Sequence, residues 1–191
     1  NWDNCFAEYI KLTNRLGIRV AGVWGKMAAD PAMVEAPQIE LVRDLGMGYL
    51  TGSPAHAVEQ RNDPIDEAKI REGVRNFFKK YGDIKPAYVN LGNEPHSRSE
   101  DVKTDIEAYR IVYDEIKKID PKIYVVGSSF GTMEEYFKYG AGEWLDAYDF
   151  HTYESPEHLR DIVQNLYPAL FKKYGHEKPI WSTEIGLNSQ G

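Results

Sequence analysis

The sequence predicts an α/β fold with an all-parallel sheet, and three observations carry that prediction. Amphipathic helical stretches alternate with short β-rich runs along the chain. The runs recur roughly every 30 residues, the length of a strand–helix–strand crossover. A local pattern also repeats: FFKKYGDIKPAYV (77–89) and LFKKYGHEKPIWS (170–182) share Phe-Lys-Lys-Tyr-Gly-x-x-Lys-Pro at an offset of 93 residues. Each copy reads as a helix end, a glycine cap, a short loop and a proline opening a strand. Two distant segments thus solve one problem, the passage from helix into parallel strand.

The elements follow in order. Residues 4–16 place Phe6, Tyr9, Ile10, Thr13 and Leu16 at helical spacing, and Gly17 stops that helix before the strand IRVAGVW (18–24). A short helix around 37–45 is closed by Gly46 and leads into GYLTGS (48–53). Helix 66–81 ends at Gly82 before PAYVNLG (86–92), and helix 103–118 precedes KIYVVGS (122–128). A short helix near 133–139 precedes AYDFHTY (147–153), and helix 156–174 leads into PIWSTEI (179–185).

Six such strands joined by helices can form an open doubly wound sheet or a closed barrel. No G-x-G-x-x-G follows the first strand and no G-x-x-x-x-G-K-S/T occurs, so the nucleotide-binding sheets lack their usual support. Every notable polar cluster lies at the C-terminal end of a strand, where barrel enzymes keep their sites. The expected fold is therefore α/β of the (β/α)8 TIM-barrel type, with six βα units in this sequence. Residues 18–24 are expected to be strand two and residues 179–185 strand seven. The first and eighth would lie outside the sequence, leaving 1–191 as one partial barrel domain.

Composition narrows the partners. Of the 191 residues, 42% are apolar and 28% charged, an ordinary globular balance, and the net charge is −7. No basic stretch carries interleaved aromatics, so neither nucleic acid nor an anionic membrane is an expected partner. No apolar run reaches the roughly 20 residues of a membrane span. The single cysteine, Cys5, excludes an internal disulfide and a cysteine-based zinc site. Protein partners are left open by the sequence.

Two glutamates stand out. In YVNLGNEPH (88–96) an apolar strand runs into Asn-Glu-Pro, and Pro95 biases Glu94 away from helical geometry, holding its carboxylate at the rim. In KPIWSTEIG (178–186) Glu184 again ends an apolar strand. Period two puts Ile180, Ser182 and Glu184 on one face, with Thr183 and Trp181 opposite, toward the helices. Taken singly, each is more ordinarily a loop or rim carboxylate. Together, in a barrel, the ends of strands four and seven face each other across the mouth. Carboxylates about 5–5.5 Å apart there serve a retaining glycosidase, and about 6.5–9.5 Å an inverting one.

Asn-Glu-Pro after the fourth strand and Thr-Glu-x-Gly after the seventh resemble glycoside hydrolase clan A, with the cellulase-like family 5 and the xylosidase-like family 39 as nearest patterns. The likeness spans residues 18–186. It implies Glu94 as general acid/base, Glu184 as nucleophile, and Asn93 as a hydrogen-bond partner of the sugar 2-hydroxyl. In YDFHTY (148–153), Asp149, His151 and Tyr153 alternate onto one face. The His-x-Tyr is similar to the family pattern, in which the tyrosine hydroxyl contacts the nucleophile and the histidine shapes a subsite. The mechanism so implied needs an acid with a raised pKa and a nucleophile that stays ionised.

Trp24, His56 and Ser53, His96, and Ser128 with Ser129 follow their strands and are further subsite candidates. Trp144 is expected to pack, His158 and His176 to be solvated. No cofactor or metal is expected; the substrate is a β-linked glycan or glycoside. The competing reading is a non-catalytic carbohydrate-binding barrel or inactive fragment. A metal hydrolase using His96, His151 and Asp149 is disfavoured, since no His-x-His or His-x-x-x-His pair supports it.

Overall fold

A computed structural model describes residues 2–18, 20–23, 41–42, 44–46, 48–51, 65–81, 86–95 and 99–186. Six strands occupy the expected places: β1 (Val20–Val23), β2 (Gly48–Thr51), β3 (Tyr88–Asn90), β4 (Tyr124–Val126), β5 (Tyr148–Thr152) and β6 (Ile180–Ile185). The first four pair in parallel and in chain order, as do β5 and β6. A parallel bridge between Val126 and Ala147 joins the two sheets. The strand order thus never reverses among the described residues, unlike that of a doubly wound sheet.

Helices α1 (Trp2–Arg15), α2 (Glu67–Tyr81), α3 (Ser99–Ile119), α4 (Glu134–Lys138), α5 (Pro156–Asp161) and α6 (Tyr167–Tyr174) connect or flank the strands. Gly17 closes α1 at φ +84°, while Ile18 N–H donates to the Thr13 carbonyl at 3.0 Å. Only a residue free to adopt the left-handed region closes a helix this way at little cost. The helix expected over 156–174 starts at the Ser155 cap, whose Oγ accepts from the His158 amide. It then passes through a π turn at Ile162–Leu166. Pro168 follows two residues after its end, and it has no N–H to give the carbonyl four residues back, so the ladder loosens there.

One face of the sheet packs on the helices. Val89, Val125, Tyr148 and Phe150 join Val74, Phe78, Val112, Ile116 and Tyr167 in one buried cluster. Above it, Glu115 of α3 accepts from Arg71 at 3.0 Å and Arg75 at 2.8 Å, tying α3 to α2. At the N-terminal end of β5, Asp146 accepts from Lys117 at 2.6 Å, Tyr113 at 3.0 Å and the Val125 amide at 2.8 Å.

On the opposite face, Trp181 lies 5.3 Å from the Tyr88 ring and 5.5 Å from the Tyr124 ring. The expectation that Trp181 and Thr183 face the helices is therefore corrected. The reason is a bulge in β6: Phe150 pairs with Ser182 and His151 with Glu184, leaving Thr183 as an extra residue. Trp181 and Thr183 share the inner face with Asp149, and the extra residue turns Glu184 toward the same side. That face is concave. Asn90 of β3 and Asp149 of β5 lie on strands about 9.5 Å apart in a flat sheet, yet their side chains meet at 3.1 Å. Among the described residues, no helix is long and apolar enough to cross a membrane.

Candidate active site

The site begins where β3 ends. Leu91 N–H donates to the Val126 carbonyl at 2.9 Å, and Glu94 N–H to the Ser128 carbonyl at 3.0 Å, so the loop after β3 stays laced to the chain after β4. Glu94 has a left-handed backbone, φ +47°, and Ser129 one of φ +58°. Pro95 was expected to keep Glu94 out of the helical region; it does, but into the left-handed well and not the extended one. Such conformations cost side-chain-bearing residues of order 1–3 kcal/mol and persist where the surroundings over-determine them. Two of the three non-glycine residues with positive φ among those described lie here.

His151 is the centre of the arrangement. Its side chain is only 5% exposed, and its two ring nitrogens meet different groups. Nδ1 lies 2.6 Å from Glu94 Oε1 and 3.7 Å from Glu184 Oε2. Those two carboxylate oxygens therefore lie no farther apart than the sum of 2.6 and 3.7 Å, about 6.3 Å. Both carboxylates reach solvent, at 40% and 51% exposure, while the imidazole that both approach is nearly buried. Two carboxylates so placed, one hydrogen-bonded to an imidazole and the other free of that bond, can divide proton transfer and nucleophilic attack between them.

Behind His151 sits a buried polar set. Ser129 Oγ and Thr183 Oγ1 approach Nε2 at 2.9 and 3.0 Å, and the same two hydroxyls lie 2.5 and 2.6 Å from Asp149 Oδ2. Asp149 also accepts from Asn90 Nδ2 at 3.1 Å and from the Thr183 amide at 2.9 Å. Its side chain is fully buried. Burial pushes its carboxyl above the ordinary range, against the downward pull of hydrogen bonds from Ser129 and Thr183.

The other expected residues divide. Asn93 is half-buried on the Glu94 loop. Tyr153 follows β5, half-exposed, with its ring against Gly186, where a Cβ would fall 2.8 Å from Tyr153 Cδ1. Its hydroxyl makes no hydrogen bond to Glu184, although both residues are described. Ser128 is corrected from subsite to core: it is fully buried, with its Oγ 2.5 Å from the Tyr109 hydroxyl. Trp144 packs edge-on against Tyr113, as expected. His158 and His176 lie near Glu154 and Glu143, at 3.6 Å each, on the exposed surface. Trp24, Ser53, His56 and His96 lie outside the described residues.

Sequence reasoning missed Asn90 and misplaced Thr183. Asn90 had a signal, being the polar residue of the otherwise apolar run YVNL. Thr183 had none, because a bulge leaves no mark on the alternation until pairing is known.

No family model and no curated protein sequence matches the chain. Solved structures do. The chain is similar to β-glucuronidase 2 from Bacteroides uniformis (TM-score 0.68, 14% identity), the match covering 98% of this chain and 23% of that one. It is similar to a glucosidase from Croceicoccus marinus (TM-score 0.58, 18% identity, 78% of this chain and 36% of that one). It is also similar to the GH113 β-mannanase of Alicyclobacillus acidocaldarius (TM-score 0.57, 13% identity, 95% and 64%). The chain thus spans under two thirds of the length of each of these proteins. What it shares with them is the fold, the parallel α/β arrangement of a segment of these glycosidases.

Proposed function

We propose that this chain carries the active site of a retaining glycoside hydrolase on strands two to seven of a (β/α)8 barrel, acting on a β-linked glycan or glycoside. The observation that carries the reading is the convergence of Glu94 and Glu184 on His151 from the ends of β3 and β6. The bound of about 6.3 Å between their nearest named oxygens accommodates the roughly 5–5.5 Å of a double displacement. Sequential strand order, the concave inner face and the fold shared with glycosidases support the barrel.

Glu184, accessible and not hydrogen-bonded to the imidazole, is the nucleophile. It attacks the anomeric carbon as the bond to the leaving oxygen breaks, and Glu94 gives that oxygen its proton. Water then yields a proton to Glu94, its oxygen bonds to the anomeric carbon, and the Glu184 ester is released. Asn93 and Tyr153 are the candidate sugar-binding groups, with Trp24, His56 and His96 as further candidates.

The β-glucuronidase structure is described as covalently bound to a cyclophellitol-6-carboxylate aziridine, which suggests the probe. A panel of cyclophellitol aziridines differing in sugar configuration should label Glu184, read by peptide mass, and identify the sugar. Glu184→Ala should lose turnover and regain it with azide, giving a glycosyl azide of inverted configuration. Saccharide binding with neither labelling nor hydrolysis would replace this reading with a non-catalytic carbohydrate-binding one.

A further inference from the structure

We propose that Asp149, acting through the hydroxyls of Ser129 and Thr183, is a positioning residue that fixes the proton of His151 on Nε2, so that Nδ1 and Glu94 share a single proton. Gly92 N–H donates to Asn90 Oδ1 at 2.9 Å, which fixes that amide with Nδ2 toward Asp149. Asn90 is therefore a donor to Oδ2, and the Thr183 amide is a donor to Oδ1. The remaining partners of Oδ2 are two hydroxyls with one proton each. A carboxylate with no proton of its own takes both.

Once both hydroxyl protons point at Asp149, both oxygens offer only lone pairs to Nε2. Two acceptors at 2.9 and 3.0 Å require a proton on that nitrogen. On the other side of the ring, 2.6 Å between Nδ1 and a carboxylate oxygen requires one proton between them. The charged and titratable groups facing the imidazole among the described residues are Glu94 after β3, Glu184 on β6 and Asp149 on its own strand. The consequence for chemistry rests on the proposed role of Glu94. With Nε2 occupied, a neutral ring meets Glu94 as an acceptor, favouring the protonated carboxyl that the first step consumes. The reversed tautomer would donate to Glu94 and favour the spent carboxylate.

The test is nuclear magnetic resonance of the full chain labelled with ¹⁵N-histidine, which reads the tautomer without reference to activity. His151 should show a protonated Nε2 in the unsubstituted protein, and in Ser129→Ala and Thr183→Val alone, since one acceptor remains. The double variant should lose the Nε2 proton and gain one on Nδ1. An unprotonated Nε2 in the unsubstituted protein, or an Nε2 proton kept by the double variant, overturns the assignment. The first of these needs no variant to fold. Kinetics supply the second arm: hydrolysis of an alkyl glycoside should fall about tenfold further than that of a dinitrophenyl glycoside, which needs no acid. Equal losses would overturn the link to Glu94. No glycosidase activity in the unsubstituted protein, with Nε2 still protonated, would remove the functional reading and leave the tautomer standing.

Discussion

Glu94 pairs a left-handed backbone with a following proline, a combination a side-chain-bearing residue adopts only under constraint. The constraint is visible in its amide, held to the Ser128 carbonyl, and in its carboxylate, held to His151. Glycine has no Cβ penalty at this φ, whereas alanine keeps it. Glu94→Gly should therefore be more stable to urea than Glu94→Ala by about 1 kcal/mol. Equal stabilities would mean that the loop relaxes once the carboxylate is gone. Both variants should hydrolyse substrates with poor leaving groups about 10²–10⁴-fold more slowly, with smaller losses for activated ones.

At the scale of elements, α2 and α3 are joined by Glu115 with Arg71 and Arg75. Burial works against the Glu115 charge, but hydrogen bonds from Arg75 and Arg71 outweigh it and hold the carboxyl below its ordinary 4.5. A carboxyl lowered in the folded state stabilises above its unfolded value and loses that contribution as pH falls through the folded one. Glu115→Gln should thus cost about 1–2 kcal/mol at neutral pH, discounted for the exposure of Arg75. The difference from the parent protein should shrink as unfolding is measured below about pH 4. A pH-independent difference would assign the effect to packing. These helices and strands were legible in the sequence because periodicity and glycine stops are local signals. The π turn before Pro168 and the bulge at Thr183 were not, because each depends on a partner element. That is why Glu94, Glu184 and His151 could be singled out in advance, while Trp181 was assigned to the wrong face.

At the scale of the whole chain, the inner face is held by Tyr88, Tyr124 and Trp181, contributed by strands from two sheets. Tyr88 and Trp181 stand at equivalent places in the two copies of the repeated sequence pattern, and they meet. A double-mutant cycle of Tyr88→Ala and Trp181→Ala should give a coupling of about 1 kcal/mol in urea unfolding. Additive effects would show that the two sheets do not share this contact in solution.

The hydrogen bond from Asn90 to Asp149 spans the sheet as a chord spans an arc. It closes only where the sheet is bent, so the Ser129 and Thr183 hydroxyls, His151 and Glu94 are ordered by the bend of the sheet and not by any strand alone. Warming that relaxes the bend should extinguish turnover several degrees before far-ultraviolet circular dichroism registers a loss of helix or strand. A sugar bridging Glu94 and Glu184 would, by the same linkage, stiffen the arc and raise the temperature at which it opens.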